Sequence, residues 1–364
     1  MQCPIPTAVL LFGFFLPLFV AVPTSVTSAD QPPNAATDST SDPSVPDEGD
    51  WVLAIHGGAG GESKGLTPLR EAAYHAALQR ALTAGAIVLS EDGTALDAVE
   101  SAVRVLENEP LFNAGRGAVM TIDGTFELDA SIMDGRDLKV GGVAGITVAS
   151  NPISVARAVM EATPHVLLGG TAADRFAAAQ GFAVVSADYF FEARRFQEIQ
   201  KRRAARGLEP LPDPSRRPSE GTVGAVARDR SGNLAAATST GGRSGKLSGR
   251  IGDSPIAGAG TYAANGVAAI SGTGIGEEFI RHSAAARVAW LIQDAGMSTD
   301  EATRKVIDET LQPGDGGMIV LGPDGPPVIR FSTAAMSRGW IDASGHLETR
   351  IGRDRAKPAS PQQE

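Results

Sequence analysis

The chain has 364 residues, 42% hydrophobic and 20% charged, an ordinary globular composition with ample apolar material for a large core in one or two domains. Its formal net charge of −10 argues against nucleic acid as a partner, yet Asp30 to Asp50 holds six acidic residues and no basic one, and without that stretch the charge is only −4. The single cysteine, Cys3, stands in the N-terminal apolar segment, so the rest of the chain offers no disulfide, thiol nucleophile or cysteine metal site.

Residues 1–29 read as an export signal, with an apolar core from Thr7 to Val22 that is broken by Gly13 and Pro17 and ends before the small residues Thr27 and Ala29. That core is shorter than the roughly 20 apolar residues that cross a bilayer. The start carries no Lys or Arg, which keeps a signal anchor open as the alternative. Either way the chain is expected to be exported, periplasmic or secreted. Residues 30–50 form an acidic linker with four prolines and no aromatic residue, unable to bury enough apolar surface to fold.

From Trp51 the pattern becomes structured. "WVLAIHGGAG" predicts a buried strand that ends in a glycine loop. Thr67 and Pro68 supply the cap and first turn of a helix to about Leu89, and Thr94 opens another that ends near Asn108. "TFELDASIMDG" and "VGGVAGITVAS" read as strands, and Pro152 to Ala162 and Ala172 to Gln180 as helices. Arg194 to Arg217, with eight basic residues and three prolines, reads as a solvated loop, the flexible tail (194–220) of the first half. "TVGAVARDRSGNLAAATST" predicts two strands joined at Ser231-Gly232-Asn233, Glu277 to Ala295 one long helix, and Ser298 with Glu301 a capping box. "GGMIVLGPDGPPVIRF" and "GWIDASGHLETRI" read as hairpins. Strands grouped in this way favour sheets between helical layers over a doubly wound fold.

The familiar chemistries fail on inspection. "SGTGIGEEF" would need a glycine where Glu277 stands to complete a dinucleotide turn, and "TGGRSGKL" has Thr240 in place of the first glycine of a P-loop. The five histidines lack metal-ligand spacing, and no G-x-S-x-G elbow accompanies His56, which is better read as a packing residue at a strand end than as a base. One route to a hydroxyl nucleophile without histidine is a threonine that carries its own base, the free α-amino group, with a pKa of about 8. Thr222 follows Gly221, whose missing Cβ tolerates the strained conformation that would expose its carbonyl to attack.

Here the residues resemble a known family. "IHGGAG", "LFNAGRGAV", "ELDASIMDG", "GTVGAVA", "STGG", "GRIGDSPIAGAGTYA" and "SGTGIGE", in this order from Trp51 to about Ile351, are similar to the plant-type L-asparaginases and isoaspartyl peptidases of the N-terminal nucleophile hydrolases. The resemblance implies an αββα sandwich and self-cleavage between Gly221 and Thr222 into an α chain (51–221) and a β chain (222–364). These would stay associated, as a dimer of such heterodimers. It implies Thr222 as nucleophile, with Thr240 beside its amino and hydroxyl groups and Asn113 supporting the cleavage and substrate site. Arg250 would take the substrate α-carboxylate, Asp253 its α-ammonium, and Thr273 with the Gly274 N–H the oxyanion. A structural sodium or potassium ion would sit in the loop after the second helix, on backbone carbonyls of Leu106, Glu107, Glu109, Phe112, Ala114 and Arg116. Substrates would be asparagine or isoaspartyl peptides, with no cofactor for catalysis.

Taken singly, a strand threonine or an Arg near an Asp is ordinarily structural, and it is the ordered set that carries the reading. Ser248 stands where many relatives have proline, which predicts a looser loop around Arg250. Two other functions remain open: a glycosylasparaginase-like amidase, disfavoured by Ser219-Glu220 before Gly221, and a non-catalytic exported binding module that retains an amino-acid pocket.

Overall fold

The structure, a computed structural model, describes residues 50–60, 66–211 and 221–352. The export signal, all of the linker but Asp50, and the residues just before Gly221 lie outside them. In chain order β1 (Val52–Ala59) is followed by α1 (Pro68–Ser90), α2 (Ala95–Asn108), β2 (Leu128–Asp134), β3 (Val140–Ile146), α3 (Pro152–Ala162), β4 (Leu167–Gly169), α4 (Gly170–Ala179), α5 (Ala187–Phe190) and α6 (Ala193–Ala205). The second half holds β5 (Val223–Arg228), β6 (Leu234–Thr240), β7 (Thr261–Ala264), β8 (Ala268–Gly274), α7 (Gly276–His282), α8 (Ala284–Gln293), α9 (Thr299–Arg304), β9 (Gly316–Leu321), β10 (Val328–Phe331), β11 (Ala335–Asp342) and β12 (Leu347–Gly352).

The strands form an eight-stranded sheet, β12-β11-β1-β5-β6-β2-β3-β4, and a four-stranded one, β10-β9-β8-β7. All pairings are antiparallel except β3 with β4. Period-two alternation builds the layers. On β1, Leu53 and Ile55 join the core under α1 and α2, while Val52 and Ala54 join the core between the sheets; Ala235 and Ala237 of β6 divide from Leu234 and Ala236 in the same way. A third core packs α7, α8 and α9 on the outer face of the small sheet through Phe279, Val288, Ala302 and Ile270. Three cores in series make the αββα sandwich. Among the described residues no helix is long and apolar enough to cross a membrane.

The helix caps follow the sequence. Thr67 Oγ1 accepts from the Arg70 N–H at 3.3 Å, Thr94 Oγ1 from Asp97 N–H at 3.1 Å, and Ser298 and Glu301 form the reciprocal capping box. Two expectations need correction. The stretch read as a loop from Arg194 holds α6, because Phe196 and Ile199, three residues apart, are buried, and the Arg194 and Arg195 side chains are drawn inward. Their guanidiniums donate to Leu111 O at 3.1 Å and to Gly117 O at 2.8 Å. The helix read from Glu277 to Ala295 is broken at Ser283, which adopts φ +46°, so that α7 and α8 are separate helices. The β7–β8 hairpin, absent from the elements expected above, turns at Asn265-Gly266, a pair suited to a tight turn.

Candidate active site

Thr222 stands one residue before β5 and continues its register: Val223 pairs with Ser239, so Thr222 falls opposite Thr240 at the end of β6. Both side chains point into the space between the sheets, on the same side as Val226 and Ala236. From the other sheet Thr273, at the end of β8, faces the same point. Thr222 Oγ1 donates to Thr240 Oγ1 at 3.1 Å, and Thr273 Oγ1 accepts from the backbone N–H groups of Thr222, at 3.3 Å, and Ala59, at 3.0 Å. A hydroxyl has two lone pairs and one hydrogen, so Thr273 has both acceptor positions used and its hydrogen left to give.

The backbone before Thr222 is packed against the glycine loop that ends β1. Gly221 has φ +140° and Gly58 φ +112°, and a Cβ added to Gly58 would fall 2.5 Å from the Gly221 Cα. Only two glycines allow that approach. Asn113 braces the opposite side: its Nδ2 donates to Gly242 O at 2.6 Å and its Oδ1 accepts from Val119 N–H, while the Gly242 N–H donates to Thr240 Oγ1 at 2.9 Å.

His56 lies beneath this cluster, fully buried. Burial holds its imidazole far below the usual value, at about 3, against the raising effect of its bond to Thr222. It is therefore neutral, with Nδ1–H donating to the Thr222 carbonyl at 2.9 Å and Nε2 accepting from Ser271 Oγ at 2.9 Å. It touches no hydroxyl of Thr222 and positions the strand end, as the sequence suggested.

Thr222, Thr240, Thr273 and Gly221 wall a cleft of about 300 Å³ whose lining also includes Arg250, Asp253 and Gly274. Asp253 is 4% exposed, its Oδ2 has no hydrogen-bond partner, and burial raises its carboxyl to about 7 despite the opposing Asp253 N–H and Arg250. An orphaned buried oxygen beside a cleft is chemically suited to an ammonium ligand. Arg250 gives Nε and Nη2 to the two carboxylate oxygens of Glu277, each at 3.0 Å, and this contact holds the Glu277 carboxyl below the usual range. Nη1 is left for another carboxylate. In the loop before Arg250, Ser248 Oγ donates to Asp123 at 2.6 Å and Gly249 N–H to Glu127 at 2.8 Å, so two side-chain acceptors tie it to the turn around Gly124.

A model described as asparaginase matches residues 49–351. The chain belongs to the asparaginase family. It is similar to the isoaspartyl peptidase of Salmonella typhimurium, 46% identical over 312 residues covering 83% of this chain and 99% of that one. The isoaspartyl peptidase of Escherichia coli is 44% identical over 320 residues, 86% of this chain and 100% of its own. A human isoaspartyl peptidase/L-asparaginase is 39% identical over 287 residues, 78% and 91% of the respective chains. Membership agrees with the sandwich and with the hydrolase fold expected from the motifs.

Of the residues singled out in the sequence, Thr222, Thr240, Thr273, Gly274, Arg250 and Asp253 line one cleft, Gly221 joins them, and Asn113 stands behind it. Glu277 was missed as a partner, although it is the residue that spoiled the dinucleotide motif. Arg243 and Arg202, also on the cleft wall, had no signal beyond their charge. A larger cleft, about 400 Å³, opens along α2 and α3, but it is crossed by Arg157 paired with Asp97, Glu100 and Glu161 and contains no comparable nucleophile cluster.

Proposed function

We propose that this chain hydrolyses β-aspartyl amide bonds, in isoaspartyl peptides or asparagine, after freeing Thr222 as an N-terminal nucleophile. The observation that carries the reading is the convergence of the Thr222 nitrogen and hydroxyl on Thr273 and Thr240, 3.3 and 3.1 Å away, in a cleft that also holds Arg250 and Asp253. In maturation the Thr222 Oγ attacks the Gly221 carbonyl carbon, the C–N bond breaks, and the hydroxyl proton ends on the departing nitrogen. Water then hydrolyses the ester, leaving a Gly221 carboxylate and a free amine.

That amine, with a pKa of about 8, takes the Oγ proton in each turnover. The alkoxide adds to the substrate β-carbonyl carbon, and the developing oxyanion receives the Thr273 hydroxyl hydrogen and the Gly274 N–H, each donor contributing about 3 kcal/mol. Collapse releases ammonia or an amino acid, the amine supplying the proton, and water cleaves the acyl-threonine. Arg250 Nη1 and the orphaned Asp253 oxygen suit the α-carboxylate and α-ammonium of the aspartyl group.

The loop after α2 suits a hard monovalent cation. Side chains added at Gly115 and Gly117 would collide with the carbonyl oxygens of Glu107 and Phe112, so these oxygens face the interior of the turn. Of the six carbonyls assigned to the ion, those of Leu106, Glu109 and Ala114 each accept one local N–H and keep a second lone pair, and Arg116 closes the turn. The Glu109 side chain is turned away to Arg80. Sodium or potassium there would hold the loop that carries Asn113. Replacing both by choline should lower the melting temperature, and an unchanged value would remove the ion from the account.

Export and an (αβ)2 assembly complete the reading, supported by the N-terminal apolar run and by the family resemblance. Fractionation and sedimentation test them. The activity itself is tested with β-aspartyl-leucine and asparagine: the processed protein should release leucine or ammonia, and Thr222→Ala should do neither. Hydrolysis by Thr222→Ala would overturn the assignment.

A further inference from the structure

Arg250 and Arg243 share one carboxylate unequally. Arg250, whose side chain is 15% exposed, binds Glu277 through two 3.0 Å hydrogen bonds, whereas Arg243, 58% exposed, approaches it only to 3.7 Å. That is too long for a hydrogen bond, and the Arg243 guanidinium makes none among the described residues. The other arginine on the cleft wall, Arg202, is matched by Glu198 at 2.6 Å. The cleft thus has a buried end, where Arg250 and Asp253 stand, and a wetter rim at the weakly engaged guanidinium of Arg243.

A substrate held by its aspartyl end at Arg250 and Asp253, with its scissile carbonyl at Thr222, keeps its leaving group in the same cleft, whose wall also carries Arg243. Asparagine sends ammonia there, with nothing for a cation to bind. An isoaspartyl dipeptide sends an amino acid whose own carboxylate is free.

We propose that Arg243 recognises the free carboxylate of the leaving residue, so that this chain favours a leaving residue with a free C-terminal acid over a capped one. The inference rests on the β-aspartyl reading above and adds to it the residue that selects the leaving side. Glu277 keeps the two arginines apart in role: it fixes Arg250 for the α-carboxylate and leaves Arg243 able to swing to a second one. Guanidinium is suited to this task because its planar fork meets a carboxylate with two donors.

The test compares kcat/KM for β-aspartyl-leucine with that for the same dipeptide capped as its C-terminal amide, using processed protein. The unmutated protein should favour the free acid about ten-fold, mostly through KM, the scale of one charge-assisted contact at a wet rim. Arg243→Ala should reduce that ratio to near unity, Arg243→Lys should keep part of it, and raised salt should shrink it in the unmutated protein alone. Equal rates on the two substrates, a ratio that survives Arg243→Ala, or a ratio lost only in Arg202→Ala would each overturn the proposal. Failure to hydrolyse either dipeptide by protein already cut at Thr222 would instead sink the β-aspartyl reading, and this inference with it.

Discussion

The Thr222 hydroxyl donates to Thr240 Oγ1 at 3.1 Å, directly across the β5–β6 register, and Thr240 is itself fixed by the Gly242 N–H at 2.9 Å. The nucleophile is thereby oriented by a cross-strand pair and not by an imidazole. Thr240→Val removes the acceptor and strands the Gly242 donor, which should slow both maturation and hydrolysis by about 100-fold, or roughly 3 kcal/mol. Thr240→Ser should restore most of the rate. A time course of fragment appearance on a denaturing gel checks it, and equal rates for the Val and unmutated proteins would remove Thr240 from the mechanism.

Gly58 controls how closely β1 approaches the scissile bond. Alanine there would place its Cβ 2.5 Å from the Gly221 Cα and would be strained at φ +112°. Gly58→Ala should therefore accumulate the uncut chain while the fold, read by circular dichroism, persists. Maturation at the normal rate would show that the two glycines need not touch.

On the proposed reading, Asp253 would link substrate binding to pH. Burial lifts its carboxyl to about 7, and only the ionised form can hold an ammonium. The KM for β-aspartyl substrates should rise as pH falls below about 7, and Asp253→Asn should raise it by about 100-fold and flatten that rise. A wild-type KM independent of pH from 5 to 8 would contradict the assignment.

Glu107 couples pH to stability from beneath β6. It is fully buried, accepts from Ser239 at 2.6 Å and Ile153 N–H at 3.0 Å, and burial raises its carboxyl to about 7. A raised folded pKa means that the unfolded chain ionises first, so this contribution is complete below about pH 4 and is lost as pH rises through about 7. Thermal unfolding of Thr222→Ala should show a loss on the order of 2 kcal/mol over that window, reduced in a Glu107→Gln background. An identical pH dependence in the two backgrounds would assign the effect elsewhere.

Much of the fold was legible because local signals agreed with tertiary ones. Thr67, Thr94 and Ser298 cap the helices they announce, and Ser231-Gly232-Asn233 turns the β5–β6 hairpin. What escaped depended on side chains acting at a distance. The arginines of α6 look like solvated charge in sequence but satisfy carbonyls of the loop ending at Gly117, and Ser283 breaks a helix with neither glycine nor proline to mark it. The last two hairpins look alike in sequence yet enter different sheets, a choice made by which face each buries. At the site, motif order singled out the threonines, Arg250 and Asp253, which the fold brings to one cleft. The pairing of Arg250 with Glu277, and the seating of His56 between Thr222 and Ser271, needed the two sheets brought together.

Mapping the chain ends of purified, active protein by intact-mass spectrometry and Edman degradation tests the central claim most directly. Two chains are expected, one ending at Gly221 and one beginning at Thr222, with Thr222→Ala giving a single inactive polypeptide. Hydrolysis of a β-aspartyl substrate by protein in which Thr222 has no free amine would contradict the account.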